Sequence, residues 1–296
     1  MNPTNQFMIK TAFQLASKIK AKAVMIYIDP MEDLLFEGRI PKNRSLYLLS
    51  RKKKLETGGD PLRDMSQRCK GLISLPKIPM SRMSIIKLAM TTALSLDYLE
   101  PGDKIVFLVG AADLGLLDHL QILDTAKESE IVMGKGLTGI AESVQPEVFQ
   151  AVLHLSLELA EKGREGKPVG TIFVVGDTEK VLPLTKQMII NPFKGYEEEE
   201  RNILSPSLKE TIREFAAMDG AFVVGGDGVV VTAGCYLSAS LEEANLQRGL
   251  GSRHLAAAGI TSLTNAVAFV ISESSGDVRI FKNGKVLTQI EKITRK

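Results

Sequence analysis

The sequence predicts an α/β protein: an N-terminal α/β domain with a largely parallel sheet, followed by a C-terminal mixed sheet flanked by helices. In the first half, apolar residues at helical spacing alternate with short continuous apolar runs, a pattern that builds a parallel sheet covered by helices. In the second half the apolar runs are joined by tight glycine turns, which pair neighbouring strands antiparallel. At 296 residues, 44% hydrophobic and 24% charged, the chain has ordinary soluble composition and room for one large domain or two modest ones.

The elements follow in order. Residues 7–20 carry apolar positions at helical spacing, and 23–28 (AVMIYI) is a buried-strand run. SLYLLS, 45–50, is a second strand. The helix predicted over 84–99 stops before Pro101-Gly102, and KIVFLVG, 104–110, is the next strand. A domain boundary falls between residues 125 and 145. The following helix spans 146–163, with Pro146 at its start and Gly163 after its end. A strand is predicted over 170–177 and a helix over 205–218, the latter capped by Ser205. Residues 220–235 make a hairpin turning at Gly225-Gly226-Asp227-Gly228. A helix opens at Ser252, and 265–287 holds several strands joined by Ser-Gly and Asn-Gly turns.

Composition excludes several classes. A formal net charge of +2 gives no field for nucleic acid, and the basic run Arg51-Lys52-Lys53-Lys54 reads as a solvated loop. Cys69 and Cys235 are the only cysteines, so a disulfide framework is not expected and a reducing cytoplasm fits. The three histidines have no zinc spacing, and His119 and His154 lie in apolar helical patterns as structural residues. No signal peptide or membrane span is expected. Gly134 to Gly139 (GKGLTG) matches a dinucleotide-binding glycine spacing, but Pro146 and a long helix follow where a second strand should stand, so an interdomain loop is expected.

Three stretches hold chemistry-bearing residues. GLGSRHLAAAGIT, Gly249 to Thr261, is either a plain helix start capped by Ser252 or an anion site of hydroxyl, guanidinium and imidazole at a helix N-terminus. Asp219, between a helix and the strand AFVV, is either a turn aspartate or a ligand-facing carboxylate beside Gly220. Glu273 ends a strand among serines, where a solvated turn is the default.

In order, Asp219-Gly220-Ala221, Gly251-Ser252-Arg253-His254 and Ser272-Glu273 resemble the Asp-Gly-Ala, Gly-Thr-Arg-His-Arg and Ser-Glu-Glu motifs of the diadenylate cyclase (DAC) domain, over about half the chain from near residue 146 onward. Leu255 stands for the second arginine, Ser252 for threonine and Ser274 for the second glutamate. The resemblance implies condensation of two ATP into cyclic di-AMP and two pyrophosphates, one ATP per domain, in a face-to-face dimer. It assigns Asp219 as the catalytic residue, and Gly220, Ala221, Gly251, Ser252, Arg253, His254, Ser272 and Glu273 to ATP. Asp219 and Glu273 would hold Mn²⁺ or Mg²⁺. Residues 143–296 are then the cyclase domain. Residues 1–130 resemble, by pattern alone, the C-terminal domain of pyruvate kinase, as in soluble archaeal-type cyclases, and would be an assembly or regulatory domain. Membrane-anchored members carry transmembrane helices and DNA-scanning members a C-terminal helix-hairpin-helix module, and neither is expected here. The implied partners are ATP and further copies of the chain in a homo-oligomer, without nucleic acid or membrane, in the cytoplasm. A catalytically silent ATP sensor and a DNA-linked cyclase are the alternatives.

Overall fold

The structure, a computed structural model, describes residues 2–31, 34–36, 38, 40–41, 44–52, 64–127, 140, 143–239 and 251–293. The glycine stretch 134–139, Lys53 and Lys54 of the basic run, and Gly249 and Leu250 lie outside the described residues. Two compact units divide the chain, Met1–Val132 and Met133–Lys296.

The first unit holds α1 (Pro3–Lys18), β1 (Ala23–Tyr27), β2 (Ser45–Ser50), α2 (Met65–Arg68), β3 (Gly71–Ser74), α3 (Arg82–Ser95), β4 (Lys104–Ala111) and β5 (Leu116–Asp124). The sheet order is β3-β2-β1-β4-β5. Its first three pairings are parallel and β4 with β5 is antiparallel, so the sheet is largely parallel as expected. Asn2 caps α1 by accepting the Thr4 N–H, and Pro3 occupies the first helical position, where its missing N–H costs nothing. Ile9, Ala12, Phe13 and Ala16 of α1 bury against Val24, Ile26, Leu48 and Leu108 of the sheet. Strand β5 corrects one expectation, because it places His119 on a strand and not a helix. The leucines of LLDHLQILD fit either period. The choice is made by Gly115 at φ +64°, which turns the chain back so that β5 pairs with β4.

The second unit holds α4 (Pro146–Lys162), β6 (Ile172–Val175), α5 (Thr178–Val181), β7 (Thr185–Gln187), α6 (Leu208–Phe215), β8 (Ala221–Val224), β9 (Val230–Leu237), α7 (Ser252–Leu263), β10 (Val267–Ile271), β11 (Val278–Lys282) and β12 (Lys285–Ile290). The strand order is β12-β11-β10-β6-β8-β9-β7, a mixed sheet in which β6 and β8 run parallel and the other pairs antiparallel. Pro146 and Gly163 bound α4 as the sequence predicts. Helix α6 is shorter than expected, and its N-cap is Ser207, not Ser205, whose hydroxyl instead meets that of Ser207 at 2.8 Å.

Strand periodicity sorts the sheet's two faces. Phe173, Phe222 and Phe269 share one face, where Phe269 meets Phe149 of α4. Val174, Val223 and Ala268 share the other, packed against Ala257, Ala258 and Ile260 of α7. Register then decides what meets at one end of the sheet. Val270 pairs with Ile172, Ile172 with Ala221, and Ile271 with Val278. The start of β6, the approach to β8, the end of β10 and the start of β11 are therefore neighbours.

Candidate functional site

At that end lies a cleft of about 580 Å³, lined by Gly251, Ser252, Arg253, His254, Ser272 and Glu273, with Ser274, Ser275, Asp277 and Arg279 beside them. Arg253 joins the three sequence stretches. Its Nη1 donates to Glu273 Oε2 at 3.0 Å, and its Nη2 is 3.5 Å from Asp219 Oδ1. Two exposed carboxylates from separate turns thus face one guanidinium. Ser252 is the first residue of α7, where free backbone N–H groups and the helix dipole favour an anion. The expected cap is corrected: Gly251 is the N-cap, and α7 has no side-chain cap hydrogen bond among the described residues.

Asp219, Gly220 and Ala221 stand apart from the cleft lining, and Asp219 is tied to it through Arg253. Ala221 is buried in β8, so it offers the cleft backbone only. Gly220 has φ +107°, and a Cβ there would come 2.6 Å from the Gly234 carbonyl carbon, so the close backbone approach that brings Asp219 out of the sheet requires glycine. Ser272 is buried, its N–H donating to the Asp277 carbonyl at 2.9 Å and its hydroxyl 3.3 Å from that of Ser274. Ser274, replacing a charged residue of the family pattern, is thus part of the turn that presents Glu273.

Burial, then the charges of Arg279 and Arg253, push the His254 imidazole down to about 4, against a partial upward pull from Asp277. The folded value lies below the ordinary one, so between about pH 6.5 and 4 the unfolded chain takes up a proton that the folded chain refuses. Stability from this group is full above pH 6.5 and declines as pH falls, by on the order of 2–3 kcal/mol across the window. The measurement is the urea midpoint at pH 7 and pH 4.5 for the wild type and His254→Asn. The variant should lose less between the two, and equal losses would remove His254 as the cause.

Two site residues escaped the sequence. Gly170 precedes β6 with no left-handed φ, so conformation gives no reason for it. Space does: a Cβ there would come 2.6 Å from Arg253 Nη1 and 2.8 Å from the Glu273 Cβ. We expect Gly170→Ala to push Arg253 off Glu273 and weaken phosphate binding at the cleft several-fold at little cost in melting temperature. An unchanged phosphate affinity would show that the pair can shift without loss. Arg279 was hidden because only strand register brings it beside His254. The cue available was its place after the Ser275-Gly276 turn, which returns β11 alongside β10.

Comparison with known proteins points one way. The DAC family model, described as DisA bacterial checkpoint controller nucleotide-binding, matches residues 158–286, the segment that carries the cleft. A diadenylate cyclase of Methanocaldococcus jannaschii is 36% identical over 212 residues, 71% of this chain and 67% of that protein. One from Haloferax volcanii is 41% identical over 146 residues, 49% of this chain and 53% of its own length. The solved structure of DacA from Staphylococcus aureus aligns with a TM-score of 0.32 at 22% identity, covering 47% of this chain and 84% of that one. With a relative matched across two thirds of both lengths, and the family model laid over the residues that build the cleft, the chain belongs to the diadenylate cyclase family.

Proposed function

We propose that this chain condenses two ATP into cyclic di-AMP, releasing two pyrophosphates. The observation that carries the reading is Arg253, which lines a cleft at a helix N-terminus and holds Glu273 on one side and Asp219, just outside the lining, on the other. Asp219 accepts the proton of a ribose 3′-hydroxyl, whose oxygen bonds to the α-phosphorus of a second ATP as the bond to pyrophosphate breaks. The same step in the opposite sense closes the ring. Arg253, Ser252, His254 and the first N–H groups of α7 bind the phosphates and hold the charge that moves onto the leaving pyrophosphate. One cleft holds one nucleotide, so two units must face each other about a two-fold axis, as a homo-oligomer.

Family membership brings divalent metal use in general. Among the described residues no group of three or more His, Cys, Asp or Glu gathers for a metal. Asp219 and Glu273, drawn to one guanidinium, still fit a Mg²⁺ or Mn²⁺ held by one or two carboxylates and completed by substrate phosphate and water. When bound, the ion supplies charge neutralisation to the phosphates.

No helix among the described residues is long and apolar enough to cross a membrane. With Cys69 and Cys235 both free, we place the reaction in a reducing cytoplasm, without nucleic acid as partner. We assign residues 143–296 as the cyclase domain and 1–130 as a pyruvate kinase C-terminal-like domain that arranges subunits. The deciding test of the reading is incubation of the purified chain with ATP and Mn²⁺ or Mg²⁺. Cyclic di-AMP is the expected product, and ATP binding without product would make the protein a silent sensor, in keeping with Leu255 and Ser274. For the division of labour, the rate per subunit of a fragment from residue 143 should depend more steeply on protein concentration than that of the full chain. The same dependence and the same mass by light scattering would deny the N-terminal domain its role.

A further inference from the structure

His254 is 7% exposed, and its Nε2 lies 2.9 Å from Nη1 of Arg279. A guanidinium has donors and no acceptor, so Nε2 must be the accepting nitrogen and the ring proton sits on Nδ1. Nδ1 is buried and meets no hydrogen-bond partner among the described residues. The donor that fixes this state is itself fixed. Arg279 Nε donates to Gln289 Oε1 at 3.0 Å, and Nη2 stands 3.8 Å from Asp277 Oδ2. Asp277 in turn accepts from Gln289 Nε2 at 3.0 Å and from the Lys292 N–H at 3.2 Å. Arg279 and Gln289 face each other in the β11–β12 register, so the ladder itself sets the guanidinium.

We propose that Arg279 is a positioning residue that locks His254 as a neutral imidazole with its proton on Nδ1, so that the ring offers the bound nucleotide no proton acceptor while the guanidinium stays held at the cleft. The inference rests on the ATP reading of the cleft and adds to it. It also returns to the cleft a second guanidinium, from the sheet, where Leu255 leaves Arg253 as the one arginine of the helix. With the Nε2 lone pair used and Nδ1 protonated, His254 has no free site to accept a proton. Deprotonation of the 3′-hydroxyl then falls to Asp219.

The test uses the full chain with ¹⁵N-labelled histidine, practicable because only three histidines exist. Without nucleotide, the wild-type His254 ring should show the Nδ1–H tautomer at pH 7. An Nε2–H tautomer or a cationic ring would overturn the proposal whether or not the protein makes cyclic di-AMP. Arg279→Met should shift the ring toward Nε2–H and raise the KM for ATP roughly 10-fold, with a smaller fall in kcat. Arg279→Lys, which keeps one donor, should recover part of both. A shifted tautomer with unchanged KM and kcat would also overturn the proposal, leaving the cyclase reading in place.

Discussion

An Asp219→Asn variant is expected to lose about 100- to 10,000-fold in kcat for cyclic di-AMP formation while its ATP affinity stays within a few-fold of wild type. The amide keeps the shape of the side chain but cannot take the proton of a ribose hydroxyl. Asp219 is exposed and 3.5 Å from Arg253, so its charge is not needed to hold the fold together. The measurement is product formation at saturating ATP, with affinity read by calorimetry. Near wild-type turnover would take Asp219 out of the mechanism and leave it a turn residue.

Arg253→Ala should behave differently, weakening ATP binding and turnover together. A charge-assisted donor to phosphate contributes about 1.5–3 kcal/mol, roughly 10- to 100-fold. The loss goes beyond one contact. Arg253 is the cation shared by Asp219 and Glu273, and without it two carboxylates face an incoming polyphosphate unscreened. Affinity should therefore recover in part when Glu273→Gln is added to Arg253→Ala. Unchanged affinity and rate in the single variant would restore the plain helix-start reading of α7.

Much of this is legible in the sequence. Helix α4 could be bounded from Pro146 and Gly163 because both act through local backbone rules. The Asn283-Gly284 turn could be read for the same reason, with both residues at positive φ. What could not be read depends on pairing and on space, which no single local rule sets. Strand β5 is a strand because β4 lies beside it. Ser205 and Ser252 look like caps, yet the cap of α6 is Ser207 and that of α7 is Gly251. At the site, Asp219, Arg253 and Glu273 stood out through a family pattern, since they carry charge in fixed order. Gly170 acts through an atom it lacks, and Arg279 through a register no local rule sets.

The way the cleft is assembled bears on how this protein acquires its activity. Gly170, Asp219, Arg253 and Arg279 come from four separate stretches, and only the completed pairing of β6 with β8 and β10, and of β10 with β11, sets them side by side. Contacts this distant in sequence form late and slowly, after the closure of long loops. A chain in which those pairings are incomplete lacks the full set of groups around Arg253. Nucleotide selects the finished fold and stabilises it in proportion to its own concentration, so the supply of ATP becomes a guard on the integrity of the enzyme that consumes it.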